Sequence, residues 1–461
     1  MASEPVHTPS IPVPPHGSRR EVLSMAWPIW ISMISVTVKG TVDMMMVGSL
    51  GADELAGVGL AGILAFNVIC FGMGVLRGQK ALVSQYLGAG DTGESFRYGM
   101  HGFYLACIFA AICLAAAFSL SEPFLALAGG SELSQRAMAA GSDYFDMRLA
   151  WAGSMFLYLA AGEYLRATER TRMPMIADLV SQPLNILLNY ALIFGHFGCP
   201  ELGVAGAAIG TGLSDLASLA LLLALSWKTP SRKLLSLSPR RLWRALGVGS
   251  ASGIQMVLEI GSFSLVTYFI SILGTDDTAA HAATISILHF SFMSAIAIGD
   301  GGSVLVGKYV GALDWEAAER SLGSMLRLNI LVMLACGAVF VLFGEGLMGL
   351  YLEETEPVAI GKNLLIIAAL WQLGDAFQIS YRFALRAAGD HNWVMWTGIL
   401  TAWLLTVPSS AFAIWFLEGD VVTVWWCWNL PMYFGAWLFR RRWKSGRWRE
   451  LRLVEDQVPA P

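Results

Sequence analysis

Long apolar runs alternate with short polar stretches along the whole of this chain. Residues 55–76, 98–121, 179–200, 278–299, 393–417 and 421–439 contain no Asp, Glu, Lys or Arg. Each is near or above the roughly 20 residues that a helix needs to cross the hydrocarbon core of a bilayer. None alternates strictly between polar and apolar positions, so spanning helices rather than barrel strands are predicted. Twelve spans fit the pattern: 22–47, 54–77, 97–120, 137–162, 173–195, 203–227, 244–273, 278–306, 322–343, 359–381, 393–417 and 420–439.

Composition agrees. The 461 residues are 56% hydrophobic and 14% charged, against about 25% charged in ordinary soluble domains. Six cysteines occur without CxxC or metal-type spacing, and read as small apolar packing residues. Residues 1–21 carry five prolines and no cleavable apolar segment, which predicts a disordered tail instead of a signal peptide.

Charge sets the expected orientation. With the amino terminus inside, nearly all of the 30 Lys and Arg fall on cytoplasmic segments, whereas the outer loops collect Asp53, Glu54, Asp276, Asp277, Glu353, Glu354, Glu356, Glu418 and Asp420. This is the positive-inside pattern, with both termini cytoplasmic. The basic stretch 228–243 and the tail 441–461 are read as topology signals beside anionic lipid, not as nucleic-acid sites. Trp425, Trp426, Trp428, Trp437 and Trp443 are read as an interfacial belt.

The chain also repeats itself. A shift of 223 residues aligns GQKALVSQYLGAGD (78–91) with GGSVLVGKYVGALD (301–314), identical at seven of fourteen positions, and pairs LGADELA from Leu50 with LGTDDTA from Leu273. Each repeat holds an even number of spans, so the halves are related by an axis along the membrane normal. The expected fold is an all-α polytopic membrane protein: two six-helix bundles, 22–227 and 244–440, related by a pseudo-two-fold. A substrate site between them, opened alternately to each side, is the mechanism that such an architecture supports.

Ionisable side chains inside spans cost about 2.5–3.5 kcal/mol on insertion scales and are functional candidates. The deepest are Lys39 and Asp43 in span 1, Glu259 in span 7 and Asp375 in span 10. Asp178, Asp215 and Asp300 lie in or near spans and are assigned plainer roles, facing a vestibule or pairing with Arg. Glu259 aligns with Val36, two turns from Asp43, which predicts a cavity that is acidic on both sides. A carboxylate there can carry a proton or share a bare cation. Asn185 and Asn189, one helical turn apart, supply amide oxygens that face Asp43 or simply pack helices. Lys39, one turn before Asp43, is expected as its built-in counter-ion.

At this point the residues resemble those of the multidrug and toxic compound extrusion (MATE) family. The motifs are MAWPIWISM and DMMMVGSLGADELAGVG in and after span 1, GAGD after span 2, PLNILLNY in span 5, ELGVAGAAIGT leading span 6, LEIGSF in span 7 and WQLGDAFQ in span 10. The resemblance is to the NorM-like branch. It implies a cation site, with Na+ as candidate, at Glu259 and Asp375, and a polar cluster at Asp43, Asn185 and Asn189, with Thr211 as a further ligand. Trp371 stands where the NorM-like pattern has a Tyr, which removes a hydroxyl ligand.

The resemblance further implies a secondary antiporter of the bacterial inner membrane that exports organic cations in exchange for Na+ or H+, without other cofactor. A monomer in contact with membrane lipid is expected. A lipid-linked oligosaccharide flippase is the alternative, and calls for a strongly cationic cavity. An intramembrane enzyme would need a nucleophile with a base or a His-rich cluster. The seven His are scattered, and His281 and His289 read as polar packing.

Overall fold

The computed structural model describes residues 16–121, 123–125, 134–226 and 235–455. These are helical almost throughout: α1 (Arg19–Gly48), α2 (Ala52–Gly78), α3 (Lys80–Gly88), α4 (Thr92–Ala116), α5 (Gln135–Ala150), α6 (Ala152–Ala167), α7 (Arg172–Phe194) and α8 (Gly203–Leu225) make one lobe. The other comprises α9 (Pro239–Ser271), α10 (Thr275–Gly311), α11 (Trp315–Met348), α12 (Thr355–Ala388), α13 (His391–Thr401), α14 (Val407–Trp415) and α15 (Val421–Lys444). Among the described residues, ten helical stretches have the length and composition to cross a membrane, with α2 and α3 counted together and α13 and α14 joined by a π-turn. The other two of the twelve spans are α5 with α6, interrupted at Trp151, and α15, where Asn429, Pro431 and tryptophans dilute the apolar run.

The repeat is visible in the backbone. Gly51 and Gly274 have φ of 153° and 149°, a region open to glycine alone, where each half turns into its second span. Asp91 and Asp314 each accept a hydrogen bond from the amide three residues on, at 2.8 and 3.0 Å, and so cap the next helix in both lobes.

The lobes meet at one end and part at the other. Gly74 and Gly78 of α2 face Gly253 and Gly249 of α9, and a Cβ on either of the first two would strike the opposite backbone. These facing GxxxG pairs let two helices touch without side chains between them. Nearer the termini, Gly88 abuts the Lys308 backbone and Gly311 that of Gln85. Along α1, Trp30 donates to Ser294 of α10 at 2.8 Å. Past that contact a cavity of about 730 Å³ opens, lined by Val36, Thr37, Gly40, Thr41, Met44, Met45, Gly48, Leu55 and His289.

Both ends of the described chain cross to the opposite lobe at the closed end. Of the expected tail 1–21, residues 1–15 lie outside the described residues, but the next few are anchored and not free. Arg320 donates to the His16 carbonyl at 3.0 Å, Ser324 to that of Gly17 at 2.8 Å, and Tyr309 to Glu21 at 2.6 Å. The tail expected at 441–461 is likewise bound as far as Glu455. Trp448 is fully buried and stacks on Trp443 with ring centroids 4.1 Å apart. Leu453 N–H then donates to Gln85 of α3 at 2.7 Å, Arg452 to the Gly311 carbonyl at 3.0 Å, and Arg244 to Glu455 at 2.6 Å.

Other expectations shift. Part of the basic connector, 228–234, lies outside the described residues, and its last five residues already belong to α9. The tryptophan belt is only partial: Trp426 and Trp437 are exposed, whereas Trp425, Trp428 and Trp443 are buried. The indole N–H groups of the first two have partners, His281 at 3.2 Å and Ser410 at 2.7 Å, which is what permits their burial.

Candidate functional site

In the first lobe α1, α7 and α8 bring four predicted residues together. Pro183 interrupts the hydrogen-bond ladder of α7, and two and six residues later Asn185 and Asn189 point inward, both fully buried. Asn189 donates to Asp43 Oδ1 at 2.6 Å and Thr211 to Asp43 Oδ2 at 3.2 Å, while Asn185 donates to Thr211 at 3.4 Å. Gly210 is required beside them, because a Cβ there would strike the Asn189 amide oxygen. Each carboxylate oxygen of Asp43 therefore accepts from a neutral donor.

Lys39 is not the counter-ion of Asp43. Its ammonium donates to Ser214 at 2.8 Å and Asp215 at 3.1 Å, both on α8. The reason is geometric. Thr211, Ser214 and Asp215 follow one another on a single face of α8, so the Lys39–Asp215 pair stacks one turn below the Asp43–Thr211 contact, and each buried charge or polar group is served locally. One further cation sits nearby: Arg148 of α5, whose charge acts on Asp43 and whose buried Nη1 has no partner among the described residues. Sequence reading passed over it, although a lone Arg inside span 4 was the signal.

The second lobe is not the acidic site that was expected. Glu259 of α9 receives both arms of Arg382 from α12, at 3.1 and 2.9 Å, and Gln255 donates to it at 2.7 Å. Arg386, one turn on, donates to Gln255 Oε1 at 2.6 Å. The oxygens of Glu259 are thus taken by a tethered guanidinium instead of being left for Na+. Asp375 is buried, with Oδ2 lacking a partner, and makes no hydrogen bond to Glu259. Trp371 packs against the cluster of Val266, Leu364 and Trp425, so it acts as core here. Among the described residues no three His, Cys, Asp or Glu side chains gather in the manner of a metal site.

Arg382 and Arg386 escaped the sequence reading because span 10 was ended at 381. Nothing in RFALRAA breaks a helix, however, and α12 runs on to Ala388 before Gly389, at φ 107°, caps it. Arg382 lies seven residues after Asp375 and Arg386 four residues after that, which places all three on one helical face.

The remaining charges form a buried chain across the seam. Lys80 of α3 bonds Asp300 of α10 and lies 3.4 Å from Glu163 of α6, which Arg166 approaches at 3.0 Å. Asp178 accepts from Tyr158. Lys308 reaches Glu169 at 2.6 Å, again between lobes. The open end instead presents apolar and methionine side chains, with Thr37, Thr41 and His289 as its polar points.

Known proteins match this arrangement over most of its length. The MatE family model matches residues 28–191 and 251–412. The probable multidrug resistance protein NorM of Pseudomonas putida is 28% identical over 430 residues, covering 90% of this chain and 91% of its own. The multidrug resistance protein MdtK of Proteus mirabilis is 25% identical, over 85% of this chain and 86% of its own. Among solved structures, a multidrug resistance MATE family transporter of the MOP superfamily in its outward-facing conformation superposes with a TM-score of 0.85 at 18% identity, over 95% of this chain and 98% of that one. A Vibrio cholerae MATE transporter variant does so at 0.84 and 19%, over 94% and 98%. The chain belongs to the multidrug and toxic compound extrusion family, on its NorM-like branch.

Proposed function

We propose that this protein exports cationic, amphipathic compounds across the bacterial inner membrane in exchange for protons, with Asp43 as the exchanging carboxylate. The observation that carries this reading is how the Asp43 carboxylate is held: both oxygens accept from uncharged donors, Lys39 is committed to Asp215, and Asp43 forms no ion pair among the described residues. Such a carboxylate can change its charge without breaking an ion pair. A group held among helices and away from bulk water is one whose protonation the environment can tune.

The cavity lies on the other face of the same helix. Thr41, Met44 and Met45 line it beside Asp43, so a change in the Asp43 contacts shifts the wall that cargo touches. Methionines suit cargo of varied shape, because the thioether chain adapts to its partner. Proton and cargo need only differ in their preference for the two lobe arrangements for one gradient to drive the other. In this reading the end bearing both termini faces the cytoplasm, following the excess of Lys and Arg there, and the cavity opens outward. The Arg382 clamp on Glu259 argues for H+ over Na+ in the second lobe. The relatives named for multidrug resistance support small-molecule drugs as cargo.

The test is transport by purified protein in liposomes with pH and Na+ gradients imposed separately. Cargo movement should follow the pH gradient and vanish in Asp43→Asn. Transport driven by Na+ alone, or an active Asp43→Asn, would sink the reading.

A further inference from the structure

The segment after α15 binds the two lobes in a fixed order. Trp448 lies in the core of the second lobe, fully buried, with its ring centroid 4.1 Å from that of Trp443 and 5.7 Å from that of Trp315. Its indole N–H donates to the Trp443 carbonyl at 3.0 Å, and Arg449 beside it pairs with Glu319 of α11 at 2.6 Å. From this anchor, residues 451–455 run on as neither helix nor strand. The Leu451 carbonyl occupies the notch at Gly389, where a Cβ would otherwise stand, and Arg452 donates to the Gly311 carbonyl at 3.0 Å. Both partners belong to the second lobe.

The next residue belongs to the first. Leu453 N–H donates to Gln85 Oε1 of α3 at 2.7 Å, and its carbonyl accepts from Arg244. The side chains of Leu453 and Val454 pack on the core of the first lobe, where the start of α9 also lies. Arg244 reaches Glu455 at 2.6 Å and the hydroxyls of Tyr86 and Tyr98 at 3.4 and 3.3 Å. Gln85 is fully buried, and its amide nitrogen donates to the Ala387 carbonyl of α12 at 2.7 Å. One side chain of the first lobe is therefore held at both polar atoms by the second lobe and its strap.

Neighbouring residues are thus fastened to opposite lobes. Consecutive Cα atoms stand about 3.8 Å apart and cannot stretch, so the chain has no slack between Arg452 and Leu453. Any wide parting of the lobes at this end must free one side of the strap. The anchor is aromatic and deep, whereas Leu453 and Val454 are only partly covered and the Glu455 side chain is 57% exposed. The side with fewer buried contacts opens first.

We propose that residues 453–455 are a detachable clasp, seated on Gln85 while the closed end is shut and released each time the lobes part there. Release leaves the Gln85 amide without two partners and uncovers two apolar side chains, so the clasp sets how often that end opens. It rests on the alternating access of the export reading, but on neither its ion nor its cargo.

The experiment reads two distances by pulsed electron paramagnetic resonance on the full chain in phosphatidylcholine nanodiscs, with the native cysteines replaced. Labels at positions 92 and 316, exposed at the starts of α4 and α11, report the parting of the lobes. Labels at 92 and 455 report the clasp, and leave both backbone bonds of Leu453 in place. Leu453→Pro deletes the amide that Gln85 accepts from, and Leu453→Ser with Val454→Ser removes the apolar tip. Each should raise the ratio of long to short 92–316 distances by about fivefold or more, the size of one lost hydrogen bond or apolar contact. In wild type, a long 92–316 distance should come with a long 92–455 distance in the same proportion. Unchanged 92–316 distributions in both variants, or wild-type lobes that part while the 92–455 distance stays short, would overturn the proposal. Neither distance involves Asp43, an ion gradient or cargo, so the clasp and proton exchange can each fail alone.

Discussion

Arg382 holds Glu259 by two parallel hydrogen bonds, from α12 to α9, at 3.1 and 2.9 Å. A fork of this kind fixes both planar groups and satisfies the carboxylate more fully than one solvated ion could. It also predicts how the second lobe responds to sodium. Wild-type thermal stability should be the same in NaCl and in choline chloride. Arg382→Met should lower stability by about 1–3 kcal/mol, less than for a fully buried pair because both partners are about a quarter exposed. Na+ should then restore part of it, since Glu259 is free to bind a cation. A variant that ignores Na+ would show that Glu259 and Asp375 cannot form a cation site even when uncovered.

The Lys39–Asp215 pair makes a separate forecast. Asp215→Asn leaves an ammonium without its counter-charge between α1 and α8, and should reduce folded yield and Tm. Lys39→Met in the same chain should recover both. Asp43→Asn, whose amide can still bond Thr211 and Asn189 after a flip, should be expressed at wild-type level. A double variant no better than Asp215→Asn would show that the pair is not coupled.

Lys80 ties α3 to α10 and α6 at the closed end. Removing it with Lys80→Met leaves Asp300 and Glu163 to repel one another, so the lobes should part there. Spin labels at positions 170 and 320 should report a longer mean distance in the variant than in wild type. An unchanged distribution would mean that the glycine seam and the chain ends suffice to hold the closed end together.

The glycine seam can be tested by size alone. In Gly249→Val the new side chain meets the Val75 carbonyl, and the facing backbones have no slack. The expected result is wedged lobes, with transport lost but insertion and expression kept. Gly247→Val, two residues away in open space, should retain transport. If both variants transport equally, the close approach is dispensable.

Particular residues show what could be read in advance. Asp43, Asn185 and Asn189 stood out because they are polar side chains in apolar runs at helical spacing, and Thr211 came with the family pattern. The partner of Lys39 did not stand out. It lies 176 residues away, and a residue one turn off on the same helix is the only neighbour that spacing can reveal. Arg382 and Arg386 were hidden by the positive-inside pattern itself, which assigns arginines beyond a fall in hydropathy to a loop. The tryptophans of α15 show the same limit: composition suits both an aqueous interface and a core, and only hydrogen-bond partners such as His281 and Ser410 decide.

The strap formed by residues 451–455 has a consequence for how the molecule is made. They are synthesised after both lobes, and their contacts with Gln85, Gly311 and Arg244 join parts of the chain made far earlier. Both lobes must already be inserted before the strap can find its place. The closed end is therefore completed only once both lobes have been made, and a reporter domain placed directly behind Glu455 would sit on the seam instead of trailing from it.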